Sequence, residues 1–444
     1  MSPDPATGTR VLGEDALARI HAHLARTDVR LAADHPGPAA RRQPVHTVYV
    51  PADDPRAAGP VARTWGSAAL ELAEASGGLE QVCRDLGLGE ELVAQVAPRV
   101  ARKLGTEPVE DLRIDLEDGY HHRDDASHDA DVLQAVHRRR ADEQEGTATQ
   151  FWGVRFPCFE ADTRSRGLRT LDLTVGELMS TGGLPEGLRL TFPKVSTTTQ
   201  VEALGMALEE LERGHGLPTG RLTFEIQVEV PQLVLAPDGT VELARAVRAG
   251  QGRVTGLHYG TYDYSAALQV AAAHQALDHP VADQAKAVMQ LVAAGTSVEL
   301  SDGSTNVTPT GDSTQRAAAW QLHHRLVSRS LRQGIFQGWD MHPGHLVTRY
   351  VATYAFYRSG LGPALDRLGR YARQDGGEVM DEPATVRALA GFLRRGLACG
   401  AVDEQEVRAA TGLDAPTVTE LARPRSDTTA LVTGDDPTDG EDPA

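Results

Sequence analysis

The chain has 444 residues, 44 of them basic and 62 acidic, which gives a formal net charge of −18, and hydrophobic residues make up 41% of it. This length suits one barrel-sized domain with extensions, and the hydrophobic share supplies a buried core. The acidic balance argues against nucleic acid and membrane surfaces as partners, because both repel a negative protein. The three cysteines suggest neither a disulfide framework nor a zinc motif, so we expect a cytoplasmic location.

The first 45 residues are predicted to form an N-terminal helical extension. Apolar residues recur at helical spacing between Leu12 and Arg30, and the stretch from Asp34 to Gln43 contains two prolines, as is typical of a linker. The start of the chain has no apolar segment of the kind found in secretory signals. We therefore expect the main domain to begin near residue 46.

Short apolar or β-branched runs then alternate with longer stretches rich in Ala, Leu, Glu and Arg. Stretches such as Thr199–His215 and Asp283–Ala294 have the composition of helices. Eight strands alternating with helices predict an α/β fold, a (β/α)8 TIM barrel over residues 46–350. An open doubly wound sheet is the rival, but no G-x-G-x-x-G motif follows an early strand. The predicted strands are Thr47–Val50, Leu112–Leu116, Phe151–Phe156, Leu188–Val195, Leu222–Val230, Val254–Tyr259, Ser297–Leu300 and Ile335–Met341.

The remainder of the chain divides into two predicted segments. Residues 351–425 contain helical patterns and are predicted to form a C-terminal helical extension. Residues 426–444 are rich in Asp, Thr, Gly and Pro, and such a composition predicts a disordered acidic tail.

Polar residues gather where the predicted strands end. Strand two leads to Glu117 and Asp118, strand three reaches Arg155, and strand six leads to Asp263. Active sites of barrel enzymes lie at the carboxyl ends of the strands. Acidic groups that converge there repel one another unless a cation compensates, and oxygen-only ligands favour a hard ion such as Mg²⁺. Strand five places three polar residues on one face by its period of two: Glu225, Gln227 and Glu229.

Seven short segments in chain order carry a resemblance to a known family. The segments are Val48–Arg56, Ile114–Asp118, Val154–Phe156, Phe192–Val195, Val228–Pro231, Gly260–Asp263 and His342–Gly344. Together they resemble the motifs of the HpcH/HpaI aldolase and citrate lyase β-subunit superfamily, including the malyl-CoA lyase relatives. Each segment alone is a weak signal, but seven in the right order are specific. The resemblance implies a barrel of the phosphoenolpyruvate/pyruvate-domain type.

The resemblance also implies roles for individual residues. Glu229 and Asp263 match the metal ligands, which bind Mg²⁺ or Mn²⁺. Arg155, Glu117 and Asp118 match catalytic positions, with Arg155 also binding the substrate. The other implied substrate-binding residues are Pro193, Lys194, Gly260, Thr261, His342 and Pro343.

Most of these residues have a structural alternative. Glu229 can belong to an ion pair, Asp263 can cap a helix, and Arg155 can be a satisfied arginine of the barrel interior. Asp115, which shares a strand face with Glu117, is expected to order the barrel floor. His342, before Pro-Gly, is typical of a residue that fixes a loop.

The resemblance implies a Mg²⁺-dependent carbon–carbon lyase of the aldehyde-lyase or oxo-acid-lyase type. Such an enzyme cleaves a small hydroxy- or keto-acid, or its CoA thioester, through a metal-stabilised enolate. The family commonly forms trimers or hexamers, so a homo-oligomer is expected. Three alternatives remain: an acyl-CoA condensing enzyme or thioesterase on the same barrel, a Schiff-base aldolase using Lys194, or a non-catalytic barrel subunit.

Three departures from the family pattern lie beside the implied site. Phe156 and Pro157 follow the arginine, Val230 replaces a threonine, and Tyr262 replaces a glutamate. These differences predict a substrate unlike those of the best-known relatives. For Lys194 itself, pairing with the acidic cluster is the favoured interpretation over covalent catalysis.

Overall fold

The computed structural model describes residues 12–39, 41–121, 124–373 and 382–423. Within these ranges, eight parallel strands form one sheet in the order β7-β6-β5-β4-β3-β2-β1-β8. A parallel bridge between Ser301 and Gln337 connects β7 to β8 and closes the sheet into a barrel. The prediction of a (β/α)8 barrel is therefore confirmed. The strands are β1 (His46–Pro51), β2 (Asp111–Asp115), β3 (Phe151–Arg155), β4 (Leu188–Phe192), β5 (Phe224–Val228), β6 (Val254–Tyr259), β7 (Glu299–Ser301) and β8 (Gly338–Asp340).

Helices surround this barrel and extend beyond it at both ends of the chain. Short 3₁₀ turns occupy Pro55–Ala58 and Ala272–His274. The helices are α1 (Glu14–Asp34), α2 (Val61–Glu74), α3 (Leu79–Asp85), α4 (Glu90–Thr106), α5 (Asp125–Glu145), α6 (Arg164–Thr181), α7 (Thr198–His215), α8 (Pro231–Val234), α9 (Glu242–Ala249), α10 (Thr261–Ala267), α11 (Pro280–Ala293), α12 (Ser313–Arg332), α13 (Pro343–Ala372), α14 (Pro383–Cys399), α15 (Glu404–Thr411) and α16 (Ala415–Leu421).

The predicted boundaries of the two helical extensions can be compared with the helices of the structure. Helix α1 lies in the predicted N-terminal extension and buries none of its residues. Helix α13 packs against α2, α4 and α12 and runs without a break across position 350. The segment boundaries stay predictions, and the predicted tail lies outside the described residues. No helix in the described ranges is both long and apolar enough to cross a membrane.

The barrel interior holds charged side chains that are paired with one another. Arg113 is fully buried, and its guanidinium contacts Asp111 and, at 2.5 Å, Glu225. His258 Nε2 lies 2.9 Å from the Glu225 carboxylate, and Arg189 Nε lies 3.2 Å from it. Buried charges are tolerated when each has a partner, so this network accounts for the polar filling of the barrel.

A second buried polar group joins β8 to its neighbours. His323, Asp340 and His345 lie close enough together to hold a metal ion. However, Asp340 already accepts hydrogen bonds from Arg349 at 2.8 Å and is 2.9 Å from His46. A cation there would stand beside a guanidinium, so we interpret the group as a structural network.

Gly153 on β3 provides a test of how tightly the strands pack. A Cβ atom at this position would lie 1.5 Å from the backbone oxygen of Arg189 on β4. We expect Gly153→Ala to lower the free energy of unfolding by more than about 3 kcal/mol, because the two strands must separate. Urea denaturation of the purified variant measures this change.

The matched control is Gly176→Ala on α6, where a Cβ would meet nothing within 4 Å. There, loss of glycine flexibility in a helix should raise the free energy of unfolding by roughly 0.5–1 kcal/mol. Equal stabilities for the two variants would contradict the packing described for β3 and β4.

Candidate metal centre

Three carboxylates meet at one mouth of the barrel. Asp118, Glu229 and Asp263 each offer an oxygen, and these oxygens all lie within 4.8 Å of one another. Asp118 lies in the loop after β2, Glu229 directly follows β5, and Asp263 lies in the first turn of α10 after β6. Because the strands are parallel, their carboxyl ends share one mouth, and the cluster forms where barrel active sites lie.

Glu229 is held in place by two hydrogen bonds. Its Oε1 accepts from the backbone N–H of Lys194 at 2.7 Å, and its Oε2 accepts from Gln227 Nε2 at 3.0 Å. The residue is 2% exposed. A Cβ at Gly260 would lie 2.4 Å from the Glu229 Cβ, so a glycine is required for this approach. Each Glu229 oxygen retains a second lone pair for a cation.

Lys194 contributes both its backbone and its side chain. It follows the buried Pro193 and has a positive φ of 50°, which is rare for a residue other than glycine. Its Nζ donates to Glu117 Oε1 and to Asp118 Oδ1, both at 2.5 Å. The prediction that Lys194 pairs with the acidic cluster is confirmed. Burial opposes the ammonium form, but the Glu117 charge and these hydrogen bonds raise the pKa of Lys194 above its ordinary value.

Arg155 combines a structural contact with contacts that face the acidic cluster. The residue is 2% exposed, and its Nε and Nη2 each donate to Asp115 at 2.6 Å. Its guanidinium lies over the rings of Tyr49 and Trp339, with centroids at 5.1 and 5.4 Å. Nη1 instead donates to Gln227 Oε1 at 3.4 Å and lies 3.6 Å from the Glu117 carboxylate. Asp115 thus lies at the end of β2, where it holds Arg155, and its assignment to the barrel floor was wrong.

Negative charge exceeds positive charge at this mouth. Among the described residues, two cations, Arg155 and Lys194, face five carboxylates. Burial raises the pKa of Glu229 to about 8 and the pKa of Glu117 to about 7, and it also raises the pKa of Asp263. Crowded, desolvated carboxylates retain protons unless a cation compensates them. The five carboxylates belong to Asp115, Glu117, Asp118, Glu229 and Asp263.

The other predicted site residues have structural contacts. Thr261 Oγ1 donates to the backbone oxygen of Ser304 at 3.1 Å. His342 is the N-cap of α13, and its Nδ1 accepts from the N–H of Gly344 at 3.0 Å. Pro343 is the first residue of that helix. Within the described residues, the hydrogen bond and ring contact of His342 go to α13, as expected for a residue that fixes a loop.

Two features of the site were not anticipated from the sequence. Asp118 lies beside Glu229 and Asp263, whereas the resemblance implied a separate catalytic role for it. The Tyr262 hydroxyl accepts from the backbone N–H of Asn306 at 2.5 Å and so joins α10 to the loop after β7. The sequence signal for Asp118 was its position next to Glu117, just after β2. The direction in which the Asp118 side chain points is set by the conformation of the loop and could not be predicted.

Comparison with known proteins places the chain in a family. The profile of a family described as a domain of unknown function, DUF6986, matches residues 24–426, so the chain belongs to that family. No curated protein matches the sequence significantly.

Solved structures with a similar course of the chain include a malate synthase and two citrate lyase-type proteins. Haloferax volcanii malate synthase, with magnesium and glyoxylate, is 13% identical over 87% of this chain and 99% of its own, with a TM-score of 0.47. CitE from Mycobacterium tuberculosis, with magnesium, acetoacetate and coenzyme A, is 16% identical over 80% and 99%, with a TM-score of 0.46. A citrate lyase beta subunit from M. tuberculosis, with oxaloacetate and magnesium, is 14% identical over 71% and 98%, with a TM-score of 0.41. At such values, roles for residues have to come from the geometry of this chain.

Removal of one carboxylate tests the metal centre directly. We expect Glu229→Gln to weaken Mg²⁺ and Mn²⁺ binding by about 100-fold or more, since loss of residues that merely support a ligand already weakens binding by 10–100-fold. Isothermal titration calorimetry measures the affinity. Glu202→Gln, an exposed position on α7, is the control and should bind as the unmodified protein does. Unchanged affinity in Glu229→Gln would refute the assignment.

The affinity for the ion should rise with pH. Because burial raises the pKa of Glu229 to about 8, a proton occupies this carboxyl group in the metal-free protein at neutral pH and must leave when the ion binds. Affinity should therefore increase up to about tenfold per pH unit and level off above pH 8. Without metal, this group's contribution to stability is present at low pH and is lost as pH rises toward 8. Calorimetry in buffers of different ionisation enthalpy counts the released protons; no release at pH 7 would contradict this.

Proposed function

We propose that the protein is a Mg²⁺-dependent carbon–carbon lyase that cleaves a small hydroxy- or keto-acid or its CoA thioester. The observation that carries the proposal is the cluster of Asp118, Glu229 and Asp263, which lies beside Nη1 of Arg155, 3.9 Å from the Asp118 carboxylate. The ordered motifs that resemble the HpcH/HpaI and citrate lyase β-subunit superfamily support the same conclusion. They cover the whole barrel and match these four positions.

The donor set fits a hard divalent cation. All three groups are carboxylates, and their oxygens are close enough to share one ion. Mg²⁺ prefers oxygen ligands and keeps open positions for water or substrate. Glu229 is buried, whereas Asp118 and Asp263 are exposed, so one face of the cluster is open to a substrate. When bound there, Mg²⁺ would supply a Lewis acid for a substrate carboxylate and its neighbouring oxygen.

Arg155 is suited to stabilise developing negative charge. Its bidentate contact with Asp115 and the rings of Tyr49 and Trp339 fix the guanidinium plane before any substrate arrives. Its Nη1 donates to Gln227 and lies within 4 Å of the carboxylates of Glu117 and Asp118. A preorganised donor of this kind is effective because it needs no reorientation during the reaction.

The cleavage step conserves atoms and charge. The bond between the carbon next to the substrate carbonyl and the hydroxyl-bearing carbon breaks, and its electron pair stays on the carbonyl fragment as an enolate. The hydroxyl-bearing carbon becomes a carbonyl as the proton of its hydroxyl group passes to a base at the mouth, and the enolate takes up a proton before its product is released. Lys194 holds Glu117 and Asp118 through its ammonium group and so limits the negative charge that the enolate meets.

The departures from the family pattern affect the site unequally. Phe156 is buried, and its ring stacks on Phe192 with a centroid distance of 5.5 Å, so this change concerns the core. Tyr262 lies at the rim and bonds to the loop after β7. A change of substrate relative to the best-known relatives would therefore arise at Tyr262 rather than at Phe156.

The Schiff-base alternative fits the site less well. An attacking lysine must be neutral, and contact with Glu117 and Asp118 stabilises the ammonium form of Lys194. The condensing reaction is the reverse of the proposed cleavage and would use the same groups.

Turnover assays test the proposal. The carbonyl product of each substrate should be followed with and without Mg²⁺: pyruvate from 4-hydroxy-2-oxo acids, glyoxylate from malyl-CoA and oxaloacetate from citryl-CoA. We expect activity with one of these two substrate classes, and we expect EDTA to abolish that activity. Arg155→Lys should lower kcat by about 100-fold or more, because a preorganised donor is lost, whereas Arg169→Lys on the surface of α6 should not.

Two results would reject the lyase assignment. One is a turnover that persists in EDTA and in Glu229→Gln. The other is the absence of release from every substrate by a protein that binds Mg²⁺. Borohydride trapping on Lys194 would support the Schiff-base alternative instead. Circular dichroism of each variant separates a loss of function from a loss of fold.

A further inference from the structure

A cavity of about 340 Å³ lies at the end of the barrel opposite the metal centre. Its lining includes Glu299, the first residue of β7, so the cavity is at the amino ends of the strands. The segment after α1, the loop before β7 and helix α14 form its walls. This volume lies within the range of small-molecule pockets.

Two consecutive arginines of α14 line this cavity without an acidic partner. Arg394 Nη1 donates to the backbone oxygen of Ala39 at 2.8 Å, and Arg395 Nη1 donates to that of Gly391 at 3.3 Å. The Nε atoms of both are buried and have no hydrogen-bond partner. In the described part of the chain, neither guanidinium forms an ion pair with a carboxylate.

Several buried arginines of the barrel have a carboxylate partner, which the half-buried Arg394 and Arg395 lack. Arg42, at the same end of the barrel, lies 2.8 Å from Glu107, and Arg253 lies 2.7 Å from Glu212. Burial lowers the pKa of both Arg394 and Arg395. Positive charge that is removed from water without a partner is unfavourable, and an anion between the two side chains would relieve it.

The acidic residue of the cavity, Glu299, lies within electrostatic range of both arginines but forms its ion pair with Arg41. Glu299 lies 3.5 Å from Arg41, and burial raises its pKa to about 7. The Arg395 guanidinium lies over the ring of Phe336, with its Cζ 4.1 Å from the ring centroid, and this contact restricts its orientation. The cavity therefore offers donors in a fixed orientation to a planar or tetrahedral oxyanion.

We propose that this cavity is a second ligand site, which binds the carboxylate or phosphate group of a small organic anion between Arg394 and Arg395. The site is separate from the metal centre and does not depend on the proposed lyase activity. Its ligand would connect α14 to the start of β7 and to the segment after α1.

The test uses calorimetry on the full-length protein, freed of metal by dialysis, with citrate and inorganic pyrophosphate as probes. We expect at least one probe to bind to the unmodified protein. The double variant Arg394→Gln with Arg395→Gln should bind about tenfold more weakly or worse, because charge-assisted bidentate contacts are lost. Glu229→Gln, at the metal centre, should leave this affinity unchanged.

A second variant is expected to strengthen binding, so that a loss of binding through misfolding can be told apart from a loss of the site. Glu299→Gln removes a competing carboxylate from the cavity and should strengthen binding several-fold, a gain that unfolding cannot produce. Binding of citrate alone indicates a carboxylate ligand, and binding of pyrophosphate alone indicates a phosphate; either supports the site. Absence of binding by both probes, or unchanged affinity in the double arginine variant, would overturn it.

Discussion

Compensation of buried charge is the constraint on which this barrel depends. Inside the barrel, Asp111, Arg113 and Glu225 form a network in which every charge has a partner. At the carboxyl-terminal mouth, the compensation of charge is incomplete, because five carboxylates share two cations. Buried charge without a partner is unfavourable, and the imbalance is localised where substrate and ion can enter. The interior network, in which charges are paired, supports the barrel, whereas the mouth, in which charge is left unpaired, forms the candidate site.

The two cations at the mouth perform more than one task each. Arg155 holds the end of β2 through Asp115 while one of its amino groups remains directed at the cluster. Lys194 uses its backbone N–H to orient Glu229 and its side chain to hold Glu117. Lys194 also pairs with Asp118, so among the described residues Glu229 and Asp263 are the clustered carboxylates left without an ion pair. That remaining charge is what a divalent ion matches, and it explains why structural pairing and ion binding coexist in one set of residues.

Much of the fold could be predicted from local sequence patterns, whereas the candidate site could be predicted only in part. All eight strands were predicted because each is a short apolar or β-branched run between helical stretches. The inward alternation of Glu225, Gln227 and Glu229 followed from the period of a strand. The helices α2 to α4 were not named, and the direction of Asp118 was not predictable, because a loop side chain is positioned by tertiary contacts such as that with Lys194. The isolated arginines of α14 carried no signal at all, since the absence of a partner is visible only in three dimensions.

The clustered acids come from distant parts of the chain: Asp118 follows β2, and Asp263 follows β6. In the folded barrel β3, β4 and β5 lie between these two strands, and the acids are neighbours because all of the strands end at one mouth. An ion held by both acids would therefore link segments that are far apart in the chain. Such a link would stabilise the closed arrangement of these five strands against their separation.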